Sequence, residues 1–251
     1  MPVTFIRLTF ILFFLVFINS CATTGNDLPV FDPESSMNEA AEKMKEGYYE
    51  EAREIFQTVI AKDASQQYAL MAKLKIADSY FEEELYEEAA AEYENFLKVH
   101  EQHKFSSYAQ YHLALSYFKR IKTPDVSFTT EKSAMAEFEK LQKNYPRNPY
   151  MDIAESRIKS CKRILAEHEF YVGEFYFKKD SFEAAINRLQ ALIDTYPGSI
   201  RESEALYYIG LSYENLGQRD NAVSTFSTLI NKFPSTELSN EAKKLISSFN
   251  N

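Results

Sequence analysis

A chain of 251 residues is long enough to bury a sizeable core, as one elongated domain or two small ones. Its 37 acidic residues outweigh 28 basic ones, and the net charge of −9 disfavours a general DNA or RNA binder and docking on anionic lipid by charge alone. Six glycines in the whole chain disfavour sheets joined by many tight turns, whereas Ala, Glu, Lys and Leu point to helices.

The chain opens on an apolar run of nine residues, Phe10 to Ile18, in "FILFFLVFINSCATTGN". A spanning helix needs about 20 such residues, so the run has the length of a secretory h-region instead, and residues 1–20 read as a signal peptide. "INSC" resembles a bacterial lipobox, with Ile18 at the aliphatic position, Ser20 at the small one and a less usual Asn19 between them. The competing reading is an ordinary signal peptide with an incidental cysteine. The resemblance implies that Cys21 becomes the acylated N-terminus, carrying a diacylglycerol on sulfur and an acyl chain on the amine. At about 0.8 kcal/mol per buried CH₂, such chains hold a protein at a membrane with no spanning helix. Ala22, rather than Asp, resembles the pattern of lipoproteins sent to the outer membrane, facing the periplasm. Residues 21–36 read as a lipidated tether with a helix cap near Ser36. With Cys21 acylated, Cys161 has no disulfide partner; it reads as a small buried hydrophobe, with a reactive thiol as the alternative.

The body repeats itself. An Ala is followed at i+4 and i+7 by large apolar residues in five places: Ala52, Phe56, Val59; Ala89, Tyr93, Phe96; Ala134, Phe138, Leu141; Ala185, Leu189, Leu192; and Ala222, Phe226, Leu229. That spacing lies on one helix face, and Pro146, Pro197 and Pro234 close the last three of these helices. Twelve residues before the Ala stands a small residue in four units, Ala40, Ala77, Gly173 and Gly210, and Ala114 takes that place in the third. Gly47 and Gly217 end the first helix of their units. The pattern resembles the tetratricopeptide repeat, and the predicted fold is an all-α solenoid of about five antiparallel helix pairs. Repeats 1–3 occupy residues 37–149, the third with an insertion at "RIKTPDVSFTTEKS", and repeats 4–5 occupy residues 150–251, with extra helical residues from Tyr150.

From Leu165 to Pro234 the sequence also resembles one family of lipoproteins, the BamD or ComL-like outer-membrane assembly factors. The resemblance is carried by Leu165 to Glu169, the aromatic Phe175 to Phe177, Ala184 to Arg188, and Tyr196 with Pro197. It implies a periplasmic scaffold, not an enzyme, that helps insert β-barrel proteins into the outer membrane. The implied partners are the last periplasmic domain of a BamA-like insertase, other assembly-machinery lipoproteins and unfolded outer-membrane proteins, with the membrane reached through the lipid. It places the insertase contact on the C-terminal repeats and a client groove on the N-terminal ones. A different class of function, a periplasmic repeat lipoprotein of peptidoglycan or envelope maintenance, also fits a repeat protein with a lipobox.

The candidate docking residues are Asn187 and Arg188, in "AAINRLQ". Arg188 lies at the edge of the stripe made by Phe182, Ala185, Ile186, Leu189, Leu192 and Ile193, where a guanidinium does not serve the core and offers a planar fork to a carboxylate. The plainer reading is a solvated arginine, or one paired with Asp194 or Glu183. No nucleophile elbow, phosphate loop or His-Glu-x-x-His motif occurs, and neither cofactor nor metal is expected. His100 and His103 beside Glu101 read as a solvated helix end rather than a metal site, His168 and Glu169 as structural, and "FEEELYEE" as a solvated face and turn.

Lipidation predicts that Cys21→Ala leaves a protein that partitions into the aqueous phase of a detergent extraction. Membrane retention equal to wild type would place the anchor elsewhere.

Overall fold

The computed structural model describes residues 31–121 and 128–249, so the leader, Cys21 and residues 22–30 lie outside the described residues. Within them are eleven α-helices and no strand: α1 (Pro33–Lys45), α2 (Tyr49–Lys62), α3 (Ala69–Glu82), α4 (Tyr86–Val99), α5 (Ser106–Lys119), α6 (Thr129–Asn144), α7 (Met151–Lys178), α8 (Phe182–Thr195), α9 (Glu202–Asn215), α10 (Arg219–Lys232) and α11 (Glu237–Phe249). Each packs against the next, giving five antiparallel pairs and one closing helix.

All five Ala-centred triplets lie in the core, and of their fifteen members only Phe96 retains any exposure, at 3%. Burying a Phe or Leu side chain contributes about 1.5–3 kcal/mol each, and the i+4 side chain in every pair meets the small residue of the preceding helix. Ala40 clusters with Phe56, Ala77 with Tyr93, and Ala114 with Phe138. At Gly173 there is no room for even a methyl group: a Cβ would lie 2.5 Å from Leu189 Cγ, and one at Gly210 would overlap the Phe226 ring. Small side chains thus set how close the paired helices come.

The turn within a pair repeats as closely as the core. In pairs 1, 2, 4 and 5 the second residue after the first helix has a positive φ: Gly47 at 84°, Glu84 at 63°, Asp180 at 59° and Gly217 at 70°. The following N–H donates back across the turn, Tyr48 to the Lys43 carbonyl, Leu85 to Tyr80, Ser181 to Tyr176 and Gln218 to Tyr213, each at 2.9–3.0 Å. This is the Schellman closure, which satisfies carbonyls that the helix end leaves open.

The helices depart from the sequence expectation in three places. The first begins at Pro33, not after residue 36, because Asp32 Oδ1 accepts the Glu34 N–H at 3.1 Å and Pro33 takes the first turn, where its missing N–H costs nothing. The expected insertion of the third repeat runs into α6, whose first turn starts at Thr129. The eleventh helix is the third departure: α11 lays Leu238, Ala242, Leu245, Ile246 and Phe249 over Phe226 and Leu229, covering a face that a sixth pair would otherwise fill. The extra helical residues before the fourth repeat are present. They make α7 a 28-residue helix that packs Ala154 and Ile158 against α6, and Ala166 and Phe170 against the pair formed with α8.

Successive first helices also meet: α7 touches α9, and α9 touches α11, while α8 and α10 make no comparable contact. From the fourth pair on, first helices therefore line the inner side of the bend and second helices the outer.

Glu84 holds a left-handed backbone that costs an L-residue about 1–2 kcal/mol. Glu84→Gly is expected to raise stability in denaturant unfolding by about 0.5–1 kcal/mol, once the greater unfolded-state freedom of glycine is subtracted. A loss of stability would contradict the turn geometry.

Candidate docking surface

The fourth and fifth pairs present the sequence-predicted site. Ala185, Leu189 and Leu192 turn one face of α8 fully inward, so Asn187 and Arg188 stand on the exposed side. Arg188 does pair, though with neither expected carboxylate: its Nη1 lies 3.4 Å from Glu169 Oε2 on α7, while Asp194 accepts from Gln190 instead. The partner is on the other helix because α7 and α8 run antiparallel in contact, which brings residues 169 and 188 together. At 50% side-chain exposure this is a long, solvated contact that contributes little to stability and leaves the guanidinium accessible.

The same helix α7 carries a second feature. Tyr171 and Phe175, one turn apart on α7, are 67% and 50% exposed, against the general inward orientation of large apolar side chains. They lie on a different face of α7 from Glu169, the residue that meets Arg188, and form an exposed pair of the aromatic type common in protein–protein hot spots. His168 lies one turn before Tyr171; its ring stacks on Phe128, and burial moves its pKa below the usual imidazole value. The frame of the fourth and fifth pairs is tied down. The Glu202 carboxylate, 1% exposed, accepts the Gly198 N–H at 2.9 Å and pairs with Lys232, while Arg201 Nε donates to Glu167 at 2.8 Å.

The first three pairs hold a different arrangement. Asp78 on α3 is 8% exposed, and its Oδ1 accepts from the Tyr93 hydroxyl at 2.6 Å and from the Tyr108 hydroxyl at 2.7 Å, while Lys75 Nζ donates to Oδ2 at 2.9 Å. Burial, reinforced by the Asp78 charge, pushes both phenols far above the ordinary tyrosine range. The His112 ring lies 4.3 Å from that of Tyr108, and burial lowers its pKa. Tyr111 and Tyr150 stack with rings 4.3 Å apart and 7° from parallel. A shared carboxylate thus joins three helices, and aromatic rings line the wall beside it.

Other sequence-predicted positions resolve simply. Cys161 is fully buried, and burial pushes its thiol up to about 11, so it packs as a small hydrophobe. His100 is not the solvated helix end expected: its ring rests 5.1 Å from Phe96, and its Nε2 is buried without a hydrogen-bond partner. The His103 ring lies 6.4 Å from it, and among the described residues no group of three or more His, Cys, Asp or Glu side chains could hold a metal. In "FEEELYEE", Glu83 pairs with Arg53 at 2.7 Å and Glu87 with Arg120 at 3.2 Å around the left-handed turn. No described helix is long and apolar enough to cross a membrane.

The profile of the YfiO family, described as an outer membrane lipoprotein, matches residues 32–224 and so spans both the Asp78 cluster and Arg188. The chain belongs to this family. Among its relatives, the outer membrane protein assembly factor BamD of Rickettsia prowazekii (strain Madrid E) is 28% identical over 237 residues, 93% of this chain and 94% of the relative. The protein of the same name from Neisseria meningitidis serogroup A is 25% identical over 233 residues, 86% of this chain and 87% of the relative. Among solved structures, the TPR2AB domain of yeast Sti1 in complex with pHSP90 aligns at a TM-score of 0.47 and 14% identity, covering 86% of this chain and 85% of that one.

Proposed function

We propose that this chain is an outer-membrane protein assembly factor that works as a scaffold and not as an enzyme. Its family and the names of its relatives support the role and an association with the outer membrane. In this reading Cys21 carries the lipid that holds the chain on the periplasmic face, with no other cofactor. The fourth and fifth pairs dock on the periplasmic domain of a BamA-like β-barrel insertase through Arg188 and Asn187 on α8. Other assembly lipoproteins join the complex, and unfolded outer-membrane proteins are its clients. The aromatic wall around Asp78 suits strands of such clients, which are rich in aromatic residues.

The observation that carries the docking assignment is the position of Arg188: half exposed and held by a 3.4 Å contact to Glu169. A planar, accessible guanidinium is suited to bind a partner carboxylate in two-toothed fashion. Because the intramolecular pair is solvated, exchanging it for an interfacial one costs the fold little.

Truncating an interfacial charge that becomes buried costs about 2–5 kcal/mol of affinity, whereas a rim charge costs little. Arg188→Ala is therefore expected to weaken capture of the insertase's periplasmic domain from gently solubilised membranes by more than tenfold, with the thermal midpoint unchanged. Undiminished capture, or a loss that tracks unfolding, would remove Arg188 from the interface. Failure of the wild-type protein to bring down any large β-barrel partner would contradict the functional reading itself.

A further inference from the structure

A cavity of about 430 Å³ opens where the long helix α7 passes the turn between α8 and α9. One wall is a stretch of α7 carrying Lys159, Lys162 and Arg163; the other is the turn itself, with Pro197 and Ile200. The length of α7, 28 residues, creates the site. Its first half packs on α6 and its second half pairs with α8, so the α8–α9 turn meets α7 along its length and not at a helix end.

Both walls are unfinished. The cations of α7 crowd together on a molecule of net charge −9, and at separations of three and four residues like charges repel. The protein answers them only at the solvated surface. Lys159 Nζ lies 3.4 Å from Glu155 Oε1 and Lys162 Nζ 3.9 Å from Glu139 Oε1, with all four side chains about half exposed or more. Among the described residues Arg163, itself exposed, has no ion pair. Long, solvated pairs of this kind contribute little and exchange readily. Opposite them Ile200 is 67% exposed. The turn that carries it is fixed: the Gly198 N–H donates to Glu202 Oε2 at 2.9 Å, the Arg201 N–H to the Ser199 hydroxyl at 3.2 Å, and the Ser199 N–H to the Tyr196 carbonyl at 3.1 Å. A tied backbone thus holds an apolar side chain in water, facing a basic helix.

The two walls together select an occupant. Lys159 and Arg163 are separated along α7 by a rise of about 6 Å. Alternate side chains of an extended strand point the same way about 6.5–7 Å apart, so carboxylates at alternate positions reach both cations at once. The residue between them points the other way, towards Ile200 and Pro197. The Arg163 guanidinium presents a planar fork to such a carboxylate. An anionic lipid surface fits less well. It meets the charge of the whole molecule, which is negative, whereas a short segment feels mainly the charges within a Debye length of about 8 Å. A headgroup also gives Ile200 nothing to pack on.

We propose that this cavity is a docking site for an extended acidic segment of a partner protein in which Asp or Glu alternates with apolar residues. The carboxylates pair with Lys159 and Arg163, and the intervening apolar side chain covers Ile200. The site is distinct from Arg188, which lies two turns before the end of α8, and it does not rest on the assembly role.

The test titrates the full chain into two labelled peptides of identical composition, Glu-Leu-Glu-Leu-Glu and Glu-Glu-Glu-Leu-Leu, and reads fluorescence anisotropy. The first variant is Lys159→Gln with Arg163→Gln. Its control, Lys243→Gln with Lys244→Gln, changes the net charge equally on the exposed side of α11. Ile200→Ser tests the apolar wall separately. All of these positions are exposed, and a thermal midpoint equal to wild type checks that each variant is folded. The alternating peptide is expected to bind wild type about tenfold more tightly than the blocked one, and to lose about tenfold in the Lys159/Arg163 variant and severalfold in Ile200→Ser, with no loss in the α11 control. Soluble short-chain phosphatidylglycerol, as the headgroup probe, is expected not to displace it. Binding of neither peptide, equal binding of both, undiminished binding by the Lys159/Arg163 variant, an equal loss in the α11 control, or displacement by the headgroup probe would overturn the proposal.

Discussion

The structure depends on one contact made five times: a residue with little or no side chain on the first helix of a pair receives a bulky side chain from the second. Where the small residue is glycine the fit leaves no space for a methyl group, as at Gly173 under Leu189 and at Gly210 under Phe226. Interiors packed this closely cannot absorb an added atom without displacing a neighbour. The contact therefore fixes the spacing of the paired helices, and through it the register of everything they carry. Four Schellman closures hold the turns of the same pairs, so the chain reverses at the same place relative to the contact each time.

With pair geometry repeated, the polar ties across the inner wall also recur. Tyr68 donates to Glu34, Tyr108 to Asp78, Arg201 to Glu167 and Tyr208 to Glu174, each joining successive first helices at separations of 30 to 34 residues. The buried members matter most, because a carboxylate such as Asp78 that has left water needs its partners. The outer face carries fewer such demands. This is where Arg188 keeps a solvated pair.

Much of this was legible in the sequence because it is local and periodic. The five triplets are visible as Ala, i+4 and i+7, and all of them lie in the core; prolines mark the ends of the last three second helices, and family resemblance peaks around Arg188. What escaped was set by packing between helices distant in sequence. The partner of Arg188 is Glu169, on the preceding helix, and not a residue within reach along α8. Asp78 looks like a solvated acid in an amphipathic helix until α4 and α5 bring two tyrosines to it. His100 reads as solvated because only the fold closes its Nε2 off from water. Two misses were legible in principle: Asp32 before Pro33 is a helix-start signal, and the stripe from Leu238 to Phe249 has helical period.

The interlock of small against large is tested most directly by a double-mutant cycle on the last pair, Gly210→Ala with Phe226→Leu, read by denaturant unfolding. Alone, the added methyl overlaps the ring and is expected to cost about 1–3 kcal/mol by overpacking. With the smaller leucine side chain at position 226 the same methyl should be accommodated, so the double variant should be more stable than the sum of the single losses by about 0.5–3 kcal/mol. Additivity to within about 0.3 kcal/mol would mean that the two positions do not touch, and would contradict the packing on which the account rests.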